Sequence, residues 1–241
     1  MEQASSQVNW RAHNAVKRPG IMRLGSLQAV ARGADGIMFF QWRQSKAGAE
    51  KHHSGMLPHA GTDSRVWHEV KALGNELPRL DSLVASQVEA EVAILMDWEN
   101  WWALELDSKP SVDLKLLPQI YAFYKPLFER GITVDFAHPG ADLGRYKLVI
   151  APALYMVSDA AAENINRYVE NGGTLVMSFF SGIVDENEHI RLGGYPATFS
   201  QMLGLLVEEY APFAEDPATA LTTSDGKHFN CHLWADIVTM R

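Results

Sequence analysis

Between residues 91 and 180 the sequence alternates between short apolar runs and stretches of helical period, and this alternation restricts the fold more than any other feature. Glu91–Met96 (EVAILM), Ile132–Phe136, Lys147–Ala151 (KLVIA) and Thr174–Phe180 (TLVMSFF) have the length and composition of strands. Between the first two, Leu117, Ile120, Tyr121, Tyr124 and Phe128 recur at helical spacing up to Gly131. Between the last two, Ser158 is placed to cap a helix through Ile165, Tyr168 and Val169, and Asn171-Gly172-Gly173 stops it. Strands joined through helices pair in parallel, so the pattern predicts an α/β fold with an open, doubly wound parallel sheet.

The pattern changes near residue 85. Upstream, Leu24, Leu27, Val30 and Ala31 suggest a short helix ending at Gly33, and Ile37-Met38-Phe39-Phe40 reads as a strand buried on both faces. Gln41–Gly61 follows, too long and irregular for a tight turn, and carries Trp42, Arg43, Glu50, His52, His53 and His59. From Ser64 an apolar stripe, Val66, Val70, Leu73, Leu77 and Leu80, predicts a helix capped by Thr62 or Asp63 and kinked or restarted at Pro78. Helix, strand, long loop and helix in that order match the last quarter of a (β/α) barrel, where residues beyond strand ends carry chemistry. The polar stretch Ala4–Asn14 reads as a loop, and both termini have the character of cut ends.

Composition removes several functions. With 21 basic against 29 acidic side chains the net charge is −8, and no basic stripe offers to neutralise phosphates, so nucleic acid is not the expected partner. A single cysteine, Cys231, permits neither an internal disulfide nor a cysteine-based zinc cluster, and points to the cytoplasm. No run approaches the roughly 20 apolar residues that span a bilayer.

The second part offers little catalysis. Asp97-Trp98-Glu99-Asn100-Trp101-Trp102 reads as the loop after its first strand, and its bulk and negative charge oppose a phosphate. No cysteine or Gly-x-Ser-x-Gly nucleophile sits on a strand-to-helix turn. The three tryptophans fit a sugar platform or, at least as well, an interface anchor. The first part holds carboxylates and histidines among aromatics, the side chains that glycoside hydrolysis and sugar stacking use: Glu2, Trp10, Glu50 and His53. By residue type alone the reading as solvated surface groups stays ahead, since a loop Glu or His is usually a surface residue. His52, His53 and His59 repeat no metal-ligand spacing, and neither metal nor cofactor is expected.

The strings MEQASSQVNWRAHN, GADGIMFFQWRQSKAGAEKHHSGMLPHAG, AILMDWENWWAL and YKLVIAPALYMVSDAAAENINRYVENGGTLVMSFFSGIVDENEHIRLGGYP resemble, in order, the glycoside hydrolase family 42 β-galactosidases. The resemblance implies that residues 1–85 are the last two βα units of a TIM-type barrel. It implies that 86–241 are most of a trimerisation domain of flavodoxin or glutamine-amidotransferase type, in a homotrimeric enzyme that takes a galactoside. It places the nucleophile, in a Met-Glu motif at a strand end, on Glu2, and substrate-binding roles on Trp10, Glu50 and His53. His52 departs from the aromatic Phe common before that histidine. The family's general acid/base, a Glu after Asn, has no counterpart at a strand end. Asn75-Glu76 has the letters but falls inside the Val66–Leu80 helix. A retaining glycosidase needs two carboxyls roughly 5–5.5 Å apart, so the 241 residues by themselves are expected to be inactive. The rival expectation is a non-catalytic assembly module in residues 86–235.

Overall fold

In a computed structural model, residues 2–213 and 219–241 are described. They divide into two compact units, one ending at Val88 and one spanning Glu89–Arg241. The fold is α/β, with parallel strand pairing in both units.

In the first unit β1 (Glu2–Ala4) pairs in parallel with β2 (Met38–Phe40), Glu2 opposite Met38 and Ala4 opposite Phe40. A strand therefore replaces the start of the loop read at Ala4. The helices α1 (Ile21–Ala31) and α2 (Arg65–Glu76) close on a small core of Met22, Val70 and Leu73, backed by Phe39, Met56, Val66 and Leu77. The expected burial of β2 on both faces does not hold: Met38 is exposed and Phe39 and Phe40 are half-buried. β1 is its one partner strand among the described residues, so the other edge stands open. α2 starts after Ser64, whose hydroxyl donates to the Gly61 carbonyl, rather than from a cap at Thr62 or Asp63. Pro78 sits in the first turn of a 3-10 segment, Leu77–Leu83, where its missing N–H costs no helical bond. Asn75 and Glu76 lie in the last turn of α2, with the Glu76 carboxylate clasped by the Arg23 guanidinium of α1.

The second unit is built on four parallel strands, β3 (Val92–Leu95), β4 (Val134–Ala137), β5 (Leu148–Ala151) and β6 (Thr174–Met177), in spatial order β4-β3-β5-β6. All four residues of β3 are buried, and they alternate between two cores. Val92 and Ile94 pack with Ile120 of α4 (Leu116–Glu129); Ala93 and Leu95 pack with Ile165 of α5 (Asp159–Glu170). Ser158 caps α5, accepting from the Ala161 N–H, and the chain turns at Asn171 and Gly172 as expected.

Two readings change here. Trp98–Leu104 is a short helix, α3, whose start is fixed by the Asp97 carboxylate accepting from the Glu99 N–H. The run of bulky side chains masked that cap. In α4 the buried positions are Leu116 and Ile120, while Leu117, Tyr121 and Phe128, whose spacing marked the helix, are exposed. Large apolar residues on two faces of one helix made the core face ambiguous by periodicity alone.

Beyond the sheet, α6 (Ser200–Leu203) leads into β7 (Leu205–Glu209), which pairs antiparallel with β10 (Ile237–Met240). Between them lies a hairpin, β8 (Thr219–Thr222) with β9 (His228–Cys231), turning at Ser224-Asp225-Gly226. No helix among the described residues is long and apolar enough to cross a membrane.

At the carboxyl ends of β3 and β5 a buried asparagine stands where a doubly wound sheet commonly opens a ligand crevice. The Asn100 Nδ2 donates to the Ala153 carbonyl at 3.2 Å, and its Oδ1 accepts from the Met156 N–H at 2.9 Å. Replacement by leucine leaves both backbone groups unpaired in the interior. Asn100→Leu is expected to cost this unit about 1–3 kcal/mol, read as a lower urea midpoint at unchanged slope; an unchanged midpoint refutes the bridging role.

Candidate active site

The first unit gathers its chemistry where β1 and β2 end. Side chains alternate along a strand and paired residues share a face, so Glu2, Ala4, Met38 and Phe40 lie on one side of the strand pair. Glu2 is exposed, and among the described residues no hydrogen bond or ion pair engages its carboxylate. Met1, the other half of the Met-Glu motif, lies outside the described residues.

Two irregular segments follow the strands and are laced together. The Ser54 N–H donates to the Gln7 carbonyl at 2.9 Å, the Ser6 N–H to Ser54 Oγ at 2.9 Å, and the Ser5 hydroxyl to the Gly55 carbonyl at 2.8 Å. Asn9 Nδ2 adds a bond to the Ala49 carbonyl at 2.8 Å. The Gln41–Gly61 segment also folds back on itself, Leu57 N–H to the Trp42 carbonyl and Gln44 N–H to the Leu57 carbonyl. Long loops lose much conformational entropy on ordering, and these bonds hold the segment in one conformation. At the end of β1 the Lys17 ammonium donates to the Ala4 carbonyl, and partial burial lowers the lysine pKa.

At the centre stands His53, only 1% exposed. Trp10 stacks on its imidazole at 4.9 Å between centroids, and Phe40 meets it edge-on at 5.0 Å. Its Nδ1 lies 2.7 Å from the Ser54 carbonyl, which only an N–H can satisfy; in the neutral ring, Nε2 then holds the lone pair. Nε2 is buried with no partner among the described residues. Such an atom costs about 1–3 kcal/mol unless something bonds it. Trp10, by contrast, is 63% exposed, offering one indole surface to solvent while the other covers the histidine.

The structure therefore joins two of the four sequence-derived candidates, Trp10 and His53, in direct contact. Glu50 reaches His53 through the backbone, its carbonyl accepting from the His53 N–H at 2.9 Å, with its own carboxylate exposed. His52 is exposed, its carbonyl taking a bond from Gln7 Nε2 at 3.4 Å. Phe40 was not singled out by sequence, although its place at the end of an apolar run just before a long loop is a usable signal. A cavity of about 800 Å³ in the second unit, lined by Asp142, Tyr146, Lys147, Arg167 and Asn171 among others, has no pair of carboxyls for glycosidic chemistry.

Comparison with known proteins agrees along the whole chain. A family model described as a β-galactosidase trimerisation domain matches residues 90–241, and one described as β-galactosidase matches residues 1–80. A β-galactosidase of Geobacillus kaustophilus is 54% identical over all 241 residues, and one of Arthrobacter is 51% identical over 226. The chain covers 36% and 32% of these relatives, about a third of their length. Among solved structures, a β-galactosidase from Bacillus circulans sp. alkalophilus superposes with a TM-score of 0.95 at 40% identity, over all of this chain and 37% of its own. The family 42 β-galactosidase Gan42B of G. stearothermophilus gives 0.92 at 39% identity, over all of this chain and 35% of its own.

The lacing of the loop depends on Gly55, where an added Cβ would fall 2.5 Å from the Gln44 backbone nitrogen and 3.0 Å from the Arg43 carbonyl carbon. Backbone cannot swing aside as a side chain can. Gly55→Ala is expected to lose ~1–3 kcal/mol, the range for overpacking, and to speed hydrogen exchange at the Met56 and Leu57 amides. Unaltered exchange at both would show that the loop is held by other means.

Proposed function

The chain belongs to the glycoside hydrolase family 42 β-galactosidases, and on that footing we propose that it carries the nucleophile side of a retaining β-galactosidase site together with the domain that assembles the enzyme. In this reading residues 1–85 are the closing βα units of a TIM-type barrel, and residues 86–241 are a flavodoxin-like trimerisation domain of a homotrimer. The open second edge of β2 supports the first assignment, since a barrel strand needs a neighbour on each side. The observation that carries the functional reading is the layered contact of Phe40, His53 and Trp10 on loops laced together beyond the strand pair that bears Glu2.

Each group has a task in hydrolysis of a terminal β-galactoside. Glu2 attacks the anomeric carbon and forms a galactosyl-enzyme ester as the glycosidic C–O bond breaks, and water later cleaves that ester. The leaving oxygen needs a proton from a second carboxyl on the opposite side of the bond. Glu76 does not supply it, being committed to Arg23 on a helix, so the acid belongs to a part of the enzyme outside these residues. His53 Nε2 accepts a hydrogen bond from a sugar hydroxyl, with the ring held by the Ser54 carbonyl and its two aromatic neighbours. The open face of Trp10 stacks on the apolar face of the sugar. Glu50 accepts from further hydroxyls. The reaction calls for no cofactor, and the single cysteine suits a cytoplasmic enzyme.

The 241 residues alone are expected not to hydrolyse a nitrophenyl galactoside; appreciable turnover by the purified chain would overturn the assignment of the acid. For the residues present, the chain is grafted in place of the matching segment of the Geobacillus kaustophilus relative. In that chimera Glu2→Ala should abolish turnover and azide should restore part of it. His53→Ala should lower kcat/KM by roughly 10- to 100-fold, the loss of one or two buried hydrogen bonds. Full activity in Glu2→Ala would displace the nucleophile from this position.

A further inference from the structure

We propose that the second unit carries a site for a primary ammonium group near the carboxyl end of β5, and that the chain fills it with its own Lys109, which holds residues 105–115 down as a strap. The inference concerns the second unit alone and does not depend on the galactosidase reading.

Three side chains from separate segments close the site. Lys109 Nζ donates to the Tyr155 hydroxyl oxygen at 2.8 Å and to Glu188 Oε1 at 2.6 Å, and the Tyr155 O–H donates to the same carboxylate oxygen at 3.4 Å. The ammonium also stands 4.3 Å from the centroid of the Tyr155 ring, whose electrons attract a cation. Phe180 stacks on that ring at 5.1 Å. Tyr155 is buried, and the Lys109 side chain keeps only 13% of its surface in solvent. A lysine rarely gives up water to that extent unless it is paired. Burial works against its charge, and the bonds to Glu188 and Tyr155 outweigh burial, so the Lys109 pKa stands above the ordinary lysine value.

The backbone around the contact is built to aim these groups. Among the described residues five non-glycine positions have a left-handed backbone, and four of them converge here: Ser108, Ala153, Phe180 and Glu188. Ala153, two residues before the tyrosine, is fixed by its N–H to Ser178 Oγ at 2.7 Å and by its carbonyl, which accepts from the Tyr155 N–H at 2.8 Å. Glu188 is presented by a turn in which Asp185 Oδ1 accepts from the Asn187 and His189 N–H groups, each at 2.9 Å. Residues persist in this conformation only where their surroundings over-determine it, and such positions gather at clamps and switches.

The strap needs the clamp. Residues 105–115 join α3 to α4 without regular structure, anchored at one end by the Glu105 carboxylate, which accepts from the Leu116 N–H, and at the other by buried Leu114. Between them Leu106 and Val112 face solvent. Among the described residues, Lys109 is the one side chain from 106 to 113 that hydrogen-bonds outside the segment. The acceptors that receive it, a carboxylate oxygen, a phenol oxygen and a ring face, are all electron-rich and all suited to a compact cation that carries N–H donors. A metal ion needs more ligands than this, and no group of three His, Cys, Asp or Glu that could hold one occurs among the described residues.

The test uses the 241-residue chain and propylammonium chloride, since propylammonium is the part of the side chain that Lys109→Ala removes. Hydrogen exchange at the amides of 106–114 is expected to quicken by at least about 10-fold in Lys109→Ala, the loss of a charged hydrogen bond, with the amides of β3 and β5 unchanged. In the same variant the Tyr155 and Glu188 amide resonances should shift saturably with propylammonium, and not with propanol or with sodium chloride at equal ionic strength. Wild type, its site filled, should show no saturable shift. Glu188→Gln keeps the lysine and removes the anion; it should quicken exchange in the same segment, and it carries the test if Lys109→Ala does not fold. Wild-type exchange in the segment for the folded variants overturns the strap. A folded Lys109→Ala that takes up no propylammonium, or responds equally to propanol, overturns the ammonium site.

Discussion

A parallel strand has to be covered on both faces and bonded on both edges, and most of this molecule follows from how far that requirement is met. In the second unit it is met at β3, whose four residues send alternate side chains into two cores, one roofed by α4 and one by α5. The long apolar runs, the helical connections and the glycine stops all serve that arrangement. In the first unit the same requirement is only partly met, because among the described residues β2 pairs with β1 alone and leaves Met38 in solvent. The sheet of one unit is satisfied at its centre, β3 and β5 each having a neighbour on both sides, whereas among the described residues neither strand of the other unit's pair has a second neighbour.

The elements of the second unit were readable because strand and helix periods differ. Runs such as EVAILM and KLVIA fit only a strand buried on two sides once flanked by helical stretches, and Ser158 and Asn171-Gly172-Gly173 mark helix ends by mechanism. What was not readable was which apolar residues meet the core. In α4 the residues at 116 and 120 and those at 117, 121, 124 and 128 each make a credible stripe. Periodicity cannot choose between two stripes; only the position of the sheet does. α3 was hidden for a related reason, since a seven-residue helix with three tryptophans has too few turns for a period to show, and only the Asp97 cap announces it.

At the site, residue types were legible and their relations were not. Glutamates, histidines and tryptophans on loops after a strand are candidates by chemistry, and the family resemblance picked four of them. That Trp10 should lie on His53 across 43 positions of chain depends on hydrogen bonds that join Ser5, Ser6, Gln7 and Asn9 to residues 49–55, none of which has a signature in the sequence. The tautomer of His53 is likewise a property of the Ser54 carbonyl, not of the histidine.

That tautomer bears on the kind of transition state the site can stabilise. Glycoside cleavage passes through an oxocarbenium-like state, positive at the sugar ring. In the proposed galactosidase site, a neutral ring that donates from Nδ1 to the Ser54 carbonyl would present Nε2 as an acceptor rather than a cation. On the proposed reading the Glu2 carboxylate would supply negative potential where positive charge develops, and a neutral His53, buried between Phe40 and Trp10, would add no charge that opposes it. An arginine or lysine at the place of His53 could bond the same hydroxyl and would oppose the charge. On the proposed reading, an imidazole tied to a backbone carbonyl would suit the reaction as well as the sugar.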